Sequence, residues 1–190
     1  MTAAHKLTVH DAFLAVPDTQ VGQIVDGELY VQPRPRVAHA RVTSRVGAEL
    51  GPPFDRGRGG GPGGWILLDE PELHLGGDIL VPDLAGWRRE RMPEVPDAAY
   101  TTLAPDWVCE VLSPSTAKLD RGKKLSAYAR EGVPFVWLID PDAQTLEVLV
   151  LQAFEATQRY VVESVHAEQA IVHARPFEVF ALELGVLWER

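Results

Sequence analysis

The sequence predicts a mixed α/β protein of one domain, and three observations carry that expectation. Short apolar runs bounded by Gly, Pro and Asp are interspersed with two stretches of helical periodicity. Their order is helix, three strands, helix, strand and then further strands, which suits a sheet covered by helices. At 190 residues and 46% hydrophobic content, the chain can bury one full core.

The elements follow in order. The first thirty-odd residues read as a lead-in helix and a short strand. There "VGQIVDGELYVQP" carries an Asp26-Gly27 turn signal before Pro33 and Pro35 end the alternation. Val37 to Leu50 reads as a helix because Val42, Val46 and Leu50 recur at every fourth position. "GPPFDRGRGGGPGGW" reads as a flexible loop. It lacks Gly-Lys-Ser/Thr and so is no nucleotide-binding P-loop. Trp65 to Leu68, Ile79 to Ala85 and Trp107 to Leu112 read as strands, and Lys118 to Glu131 as a helix capped by Gly132. Pro134 to Asp140 is a buried strand. "PDAQ" then turns the chain into "TLEVLVL", Arg159 to Glu163 adds a further strand, and "ARPFEVFALELGVLW" closes over one side of the sheet.

Bulk properties narrow the function classes. No apolar run approaches the roughly 18 residues that a membrane helix needs, and "MTAAHKLTVHDAF" lacks the pattern of a signal peptide. A single cysteine forms no intrachain disulfide, and the expected compartment is the reducing cytoplasm. The net charge of −9 opposes general nucleic-acid binding, but its distribution is uneven. Val31 to Gly60 holds six bases against two acids and Lys118 to Arg130 five against one, while Glu131 onward holds ten acids against three bases. Solvated faces explain such segregation, and so does one basic cleft for a polyanion.

Chemistry enters with "WVCEVLSPST", where Glu110 stands alone in an apolar strand. Burying it unpaired is costly, so it requires a base, a metal ion or a proton. Strand alternation puts Asp106, Val108, Glu110 and Leu112 on one face and Trp107, Cys109 and Val111 on the other. Asp83 in "ILVPDLAGW" is a second lone acid in apolar company. Two such carboxylates on adjacent strands suit a hard divalent cation, Mg²⁺ or Mn²⁺. On the following helix Lys124 borders the apolar stripe of Leu125, Tyr128 and Ala129, within reach of Glu110, while Lys123 lies nearly opposite, in water. Asp83, Glu110, Lys124 and a cation form a minimal set for phosphodiester hydrolysis.

"VPDLAGW", "DWVCEVLSPSTAKLDRGKKLSAYAREGVPFVWLIDP" and the upstream "DGELY" resemble the Uma-two restriction endonuclease family, within the PD-(D/E)xK nuclease superfamily. The resemblance implies a restriction-endonuclease-like fold, a mixed sheet flanked by helices. Within it the lead-in spans 1–36, the nuclease core 37–140, and the C-terminal strands and closing segment 141–190. It also implies Asp83 and Glu110 as metal ligands. The leading reading is then a metal-dependent nuclease acting on DNA, in which Asp83 and Glu110 bind Mg²⁺ or Mn²⁺, Lys124 assists the water or the phosphate, and the arginines of the first long helix and the loop after it contact backbone phosphates. A homodimer would suit cutting of both strands. Where the superfamily expects a lysine two residues after the acid stands Leu112, and the matching lysine is Lys124 on the next helix. That departure keeps a rival reading in view, a degenerate nuclease fold serving nucleic-acid or protein binding, and the same metal site also suits a third, a nuclease or phosphodiesterase for RNA or small nucleotides.

Lesser candidates remain. His39 and Glu28 match positions that recur in the family and could line the cleft, yet a lone surface histidine and a strand-edge glutamate are the simpler readings. Glu72 and His74 alternate in "EPELHLGGD" as a possible second ligand pair, although a zinc site needs three or four ligands. Cys109 faces away from Glu110 and reads as inert packing.

Overall fold

The computed structural model describes residues 7–155 and 157–189. The chain opens with α1 (Val9–Leu14), whose N-terminus is closed by a reciprocal Thr8–Asp11 capping box. It continues into a hairpin of β1 (Gln20–Val25) and β2 (Glu28–Pro33). Asp26 and Gly27, with φ of 52° and 73°, form the tight turn that the Asp-Gly pair predicts. The segment is thus two strands, where one short strand was expected. α2 (Val37–Leu50) buries Val42, Val46 and Leu50, the predicted stripe.

The Gly-Pro-rich stretch is not wholly a loop. Gly51–Asp55 continues α2 as a wider helical turn, closed by Arg56 N–H donating to the Gly51 carbonyl at 3.1 Å. Pro53 and Phe54 are buried there, and Phe54 packs on Phe177 with ring centroids 4.5 Å apart. Apolar burial outweighs the poor helical propensity of Gly-Pro-Pro.

Next come β3 (Trp65–Asp69), β4 (Glu72–Leu75), β5 (Asp78–Leu80), β6 (Leu84–Arg88), β7 (Tyr100–Thr101) and β8 (Trp107–Val111). The run Ile79 to Ala85, expected as one strand, is two. β5 belongs to a five-stranded sheet ordered β2-β1-β5-β4-β7, and β6 to a second sheet. Pro82, which cannot donate to a ladder, lies in the break between them. After β8 come α3 (Ala117–Leu119), a wide helical turn over Asp120–Lys124, and α4 (Leu125–Arg130), nearly the span expected for one helix. β9 (Phe135–Asp140), β10 (Thr145–Phe154) and β11 (Thr157–Ala167) complete a six-stranded sheet ordered β11-β10-β9-β8-β6-β3. β8 and β9 pair in parallel and the other neighbours in this sheet are antiparallel, so it is mixed as expected. β12 (Ile171–Val172), β13 (Leu182–Glu183) and α5 (Gly185–Trp188) end the chain.

The six-stranded sheet separates two apolar cores. Trp107, Cys109 and Val111 face α2 together with Phe177, Leu184 and Leu187 of the closing segment. Val108, Val136 and Leu138 face Tyr128 of α4 and Leu73 and Leu80 of the other sheet. The period of two in β8 therefore places Glu110 on the second face, between the sheets. No helix among the described residues is long and apolar enough to cross a membrane.

A candidate metal centre where the chain changes sheets

Val81, Pro82 and Asp83 carry the chain from β5 to β6, and Val81 and Asp83 of this crossing line a cavity of about 220 Å³. Asp83 is held there by backbone: its Oδ2 accepts the Val111 N–H at 2.7 Å, and its carbonyl accepts the Glu70 N–H at 3.1 Å. Val81 is held by Gln23 of β1, whose Oε1 accepts the Val81 N–H at 2.9 Å. Gln23 is only 2% exposed and also lines the cavity.

Glu110 rises from β8 beneath this crossing. Its Oε1 accepts the Tyr128 hydroxyl at 2.6 Å and lies 2.7 Å from Lys124 Nζ. Both side chains of the Glu110–Lys124 pair are 2% exposed. The wide turn over Asp120–Lys124 points both of its terminal residues inward, and Lys124 Nζ lies 3.3 Å from Asp120 Oδ1. The same ammonium donates to the Val81 carbonyl at 3.3 Å. Lys124 therefore ties the helix, β8 and the sheet crossing into one cluster. Leu112, where the superfamily lysine was expected, is packed into the apolar core instead.

The electrostatics follow from burial. Loss of water raises the Glu110 carboxyl to about 8, an effect that Lys124 opposes and that Asp120 and Asp83 reinforce. Burial works against the charge of Lys124 too, but Glu110 and Asp120 outweigh it and hold the ammonium above the ordinary lysine range. Burial and the neighbouring Glu110 keep Tyr128 a neutral phenol and hence a donor. Near neutral pH the cluster holds a lysine cation and a proton shared with Glu110.

His39 is not the surface residue its sequence context suggested. It lines the cavity with its side chain 12% exposed, Nε2 lying 3.3 Å from Asp83 Oδ2. Burial disfavours its charge, but Asp83 and the Val111 backbone more than offset that, so it titrates above the ordinary histidine range. Among the described residues its buried Nδ1 has no hydrogen-bond partner.

The other candidates lie apart. Glu28 is exposed and pairs with Lys123 and Tyr30. His74 bonds Glu72 at 2.6 Å and stacks on Tyr100 at 3.9 Å between centroids. Cys109 is fully buried and its thiol is raised well above the usual value, first by burial. Among the described residues, no cluster of three or more His, Cys, Asp or Glu forms a ready-made metal cage.

A two-carboxylate site suits Mg²⁺ better than such a cage would, because Mg²⁺ keeps several waters and binds through one or two carboxylates plus substrate phosphate. The bonds on Glu110 fall on Oε1 and those on Asp83 on Oδ2. Among the described residues, Glu110 Oε2 and Asp83 Oδ1 take no hydrogen bond, and both acids line the same cavity. The donor set therefore fits a hard divalent cation. Sequence reasoning missed Asp120, Gln23 and Tyr128. Asp120 lies four residues before Lys124 and Gln23 breaks an apolar strand, signals that carry meaning only once their spatial partners are known.

Residues 11–185 match the model of the Uma2 family, described as "Putative restriction endonuclease". The chain belongs to the Uma2 family. A crystal structure of "a putative nuclease belonging to DUF820" from Anabaena variabilis is similar over 96% of this chain and 98% of that one, with a TM-score of 0.71 and 23% identity. At that identity the likeness speaks for the fold. No curated protein matches the chain.

Proposed function

We propose that this Uma2 member is a metal-dependent nuclease that hydrolyses phosphodiester bonds in DNA, with Asp83 and Glu110 as ligands of Mg²⁺ or Mn²⁺. The observation that carries the proposal is the convergence of Asp83, Glu110 and Lys124 on one cavity, with a spare oxygen on each acid. A bound divalent cation supplies Lewis-acid polarisation of the phosphate. Tyr128 and Lys124 fix the Glu110 carboxylate by holding Oε1, so that Oε2 is presented in one orientation. Val111 N–H does the same for Asp83. Lys124, anchored by Asp120, places a permanent positive charge where negative charge develops on the phosphoryl oxygens.

The test is calorimetric titration of Mn²⁺ into the wild type, Glu110→Gln and Asp83→Asn, followed by a plasmid-nicking assay on the same samples. Saturable binding and nicking in the wild type, both lost in the isosteric variants, support the reading. A folded wild type that binds no Mn²⁺ and nicks nothing removes it and leaves a binding module on a nuclease fold.

A further inference from the structure

We infer that His39 is a positioning residue of this site: through Nε2 it holds Asp83, as Tyr128 and Lys124 hold Glu110, without binding the cation itself. The inference rests on the nuclease reading and assigns a further role within it.

His39 is placed by the helix that carries it. It precedes Val42 and Val46 by three and seven residues, so it extends the buried stripe of α2 toward the helix N-terminus. Packing of Val42, Val46 and Leu50 against the six-stranded sheet fixes that helix, and the Thr43 hydroxyl donates to the His39 carbonyl at 3.3 Å. A ring on such an element is held more precisely than one on a loop. The stripe leads the imidazole into the cavity beside Asp83. α2 covers one face of the six-stranded sheet, whereas Tyr128 packs on the other. The two acids are thus held by helices on opposite faces.

The partners assign the nitrogens. An ionised carboxylate offers only lone pairs, so the imidazole nitrogen that faces it carries hydrogen. That nitrogen is Nε2, 3.3 Å from Asp83 Oδ2. The distance is slightly long for a hydrogen bond, as catalytic contacts often are before a site fills. The same oxygen accepts the Val111 N–H at 2.7 Å, so both donors converge on Oδ2 and leave Oδ1 for the ion.

The other side of the ring argues against a ligand. A metal-ligating histidine almost always donates its second N–H to a carboxylate, a carbonyl or water. Among the described residues the buried Nδ1 of His39 has no such partner, and no three of His, Cys, Asp or Glu gather as a metal site. What His39 offers is one donor, and it faces a proposed ligand.

The experiment compares the wild type with His39→Gln, His39→Asn and His39→Ala. By chain length, the amide nitrogen of glutamine reaches the place of Nε2 and that of asparagine the place of Nδ1. Circular dichroism first shows which variants fold, and the Gln–Asn contrast decides the matter even where His39→Ala does not. Calorimetry should find Mn²⁺ affinity about tenfold weaker in His39→Asn and His39→Ala, and within about threefold of the wild type in His39→Gln. At saturating Mn²⁺, nicking should lose kcat in the Asn and Ala variants with KM for the plasmid unchanged. Electron spin echo spectra of Mn²⁺ on the wild type should show no directly bound imidazole nitrogen.

A bound nitrogen makes His39 a ligand and overturns the inference. A rise in KM alone makes it a substrate contact, and His39→Gln no better than His39→Ala makes it packing; either result also overturns it. Mn²⁺ bound equally by the wild type and all folded variants removes the inference and leaves the nuclease reading intact. A folded wild type that binds no Mn²⁺ removes both.

Discussion

Lys123 and Lys124 are consecutive residues, and each holds a glutamate oxygen at 2.7 Å, Lys123 that of Glu28 and Lys124 that of Glu110. By distance the two pairs are the same. By environment they are opposites, with side chains 39% and 65% exposed in the first and 2% in both members of the second. The titration of the acids follows the environment. Glu28 is held below the ordinary glutamate range by its bonds to Lys123 and Tyr30, whereas burial pushes Glu110 up to about 8 despite an equally close ammonium. Water makes the surface pair optional, and its absence makes the buried pair demanding.

The largest effect expected from this contrast is at Lys124. Lys124→Met leaves Glu110, Asp120 and the Val81 carbonyl without their shared cation. Removing one member of a buried pair costs about 3–5 kcal/mol. The value should fall near the lower end, because Glu110 already holds a proton near neutral pH. Chemical denaturation measures the loss. Nuclease activity should drop by about two orders of magnitude, the scale of losing one transition-state donor.

Next in size is the effect of pH on metal affinity. In the proposed site a cation needs Glu110 as carboxylate, and the proton that burial holds there competes with it. Below pH 8 the apparent affinity for Mn²⁺ should fall by about tenfold per unit and above it level off. Titration at several pH values reads the slope, and proton release, measured in buffers of different ionisation enthalpy, should approach one per ion at pH 7. The sign for the metal-free protein is opposite. A carboxyl raised on folding gives stability that is present in acid and lost as pH rises toward 8, so the metal-free wild type should lose stability relative to Glu110→Gln over that window. A metal affinity that is flat between pH 6 and 8 places the binding elsewhere.

A smaller effect belongs to Gln23. Gln23→Leu keeps the volume but leaves the Val81 N–H without its acceptor, at a cost of about 1–2 kcal/mol. Since Val81 carries one of the bonds to Lys124, activity should fall more than Mn²⁺ affinity does. Equal falls in both would mean that the whole crossing has shifted.

The same contrast explains how much could be read from the sequence. Asp83 and Glu110 stood out because a lone acid in an apolar run breaks a pattern that is local. Lys124 could be told from Lys123 by helical angle, even though the wide turn at Asp120–Lys124 departs from regular geometry. Asp120 looked like one acid in a basic helix, and Gln23 like a polar residue in an edge hairpin. Their importance lies in contacts between elements far apart in the chain. The fold follows the same division. The stripe of α2 and the alternation of β8 were legible, but the change of sheet at Val81–Asp83 was not, because two short strands in different sheets make one continuous apolar run. Only Pro82 hinted at the break.

The smallest effect is expected at the surface pair. Lys123→Ala removes the bond to Glu28 and a cation that lies 5.3 Å over the Tyr30 ring, yet both carboxylate and phenol remain in contact with water. Thermal unfolding should be unchanged within error, as should Mn²⁺ affinity and cleavage rate. A double-mutant cycle with Glu28→Gln should give a coupling that vanishes in moderate salt, whereas the Glu110–Lys124 coupling should persist there. A loss in Lys123→Ala as large as that in Lys124→Met would show that the whole basic face of the helix acts on the polyanion, and that burial is not what ranks the two lysines.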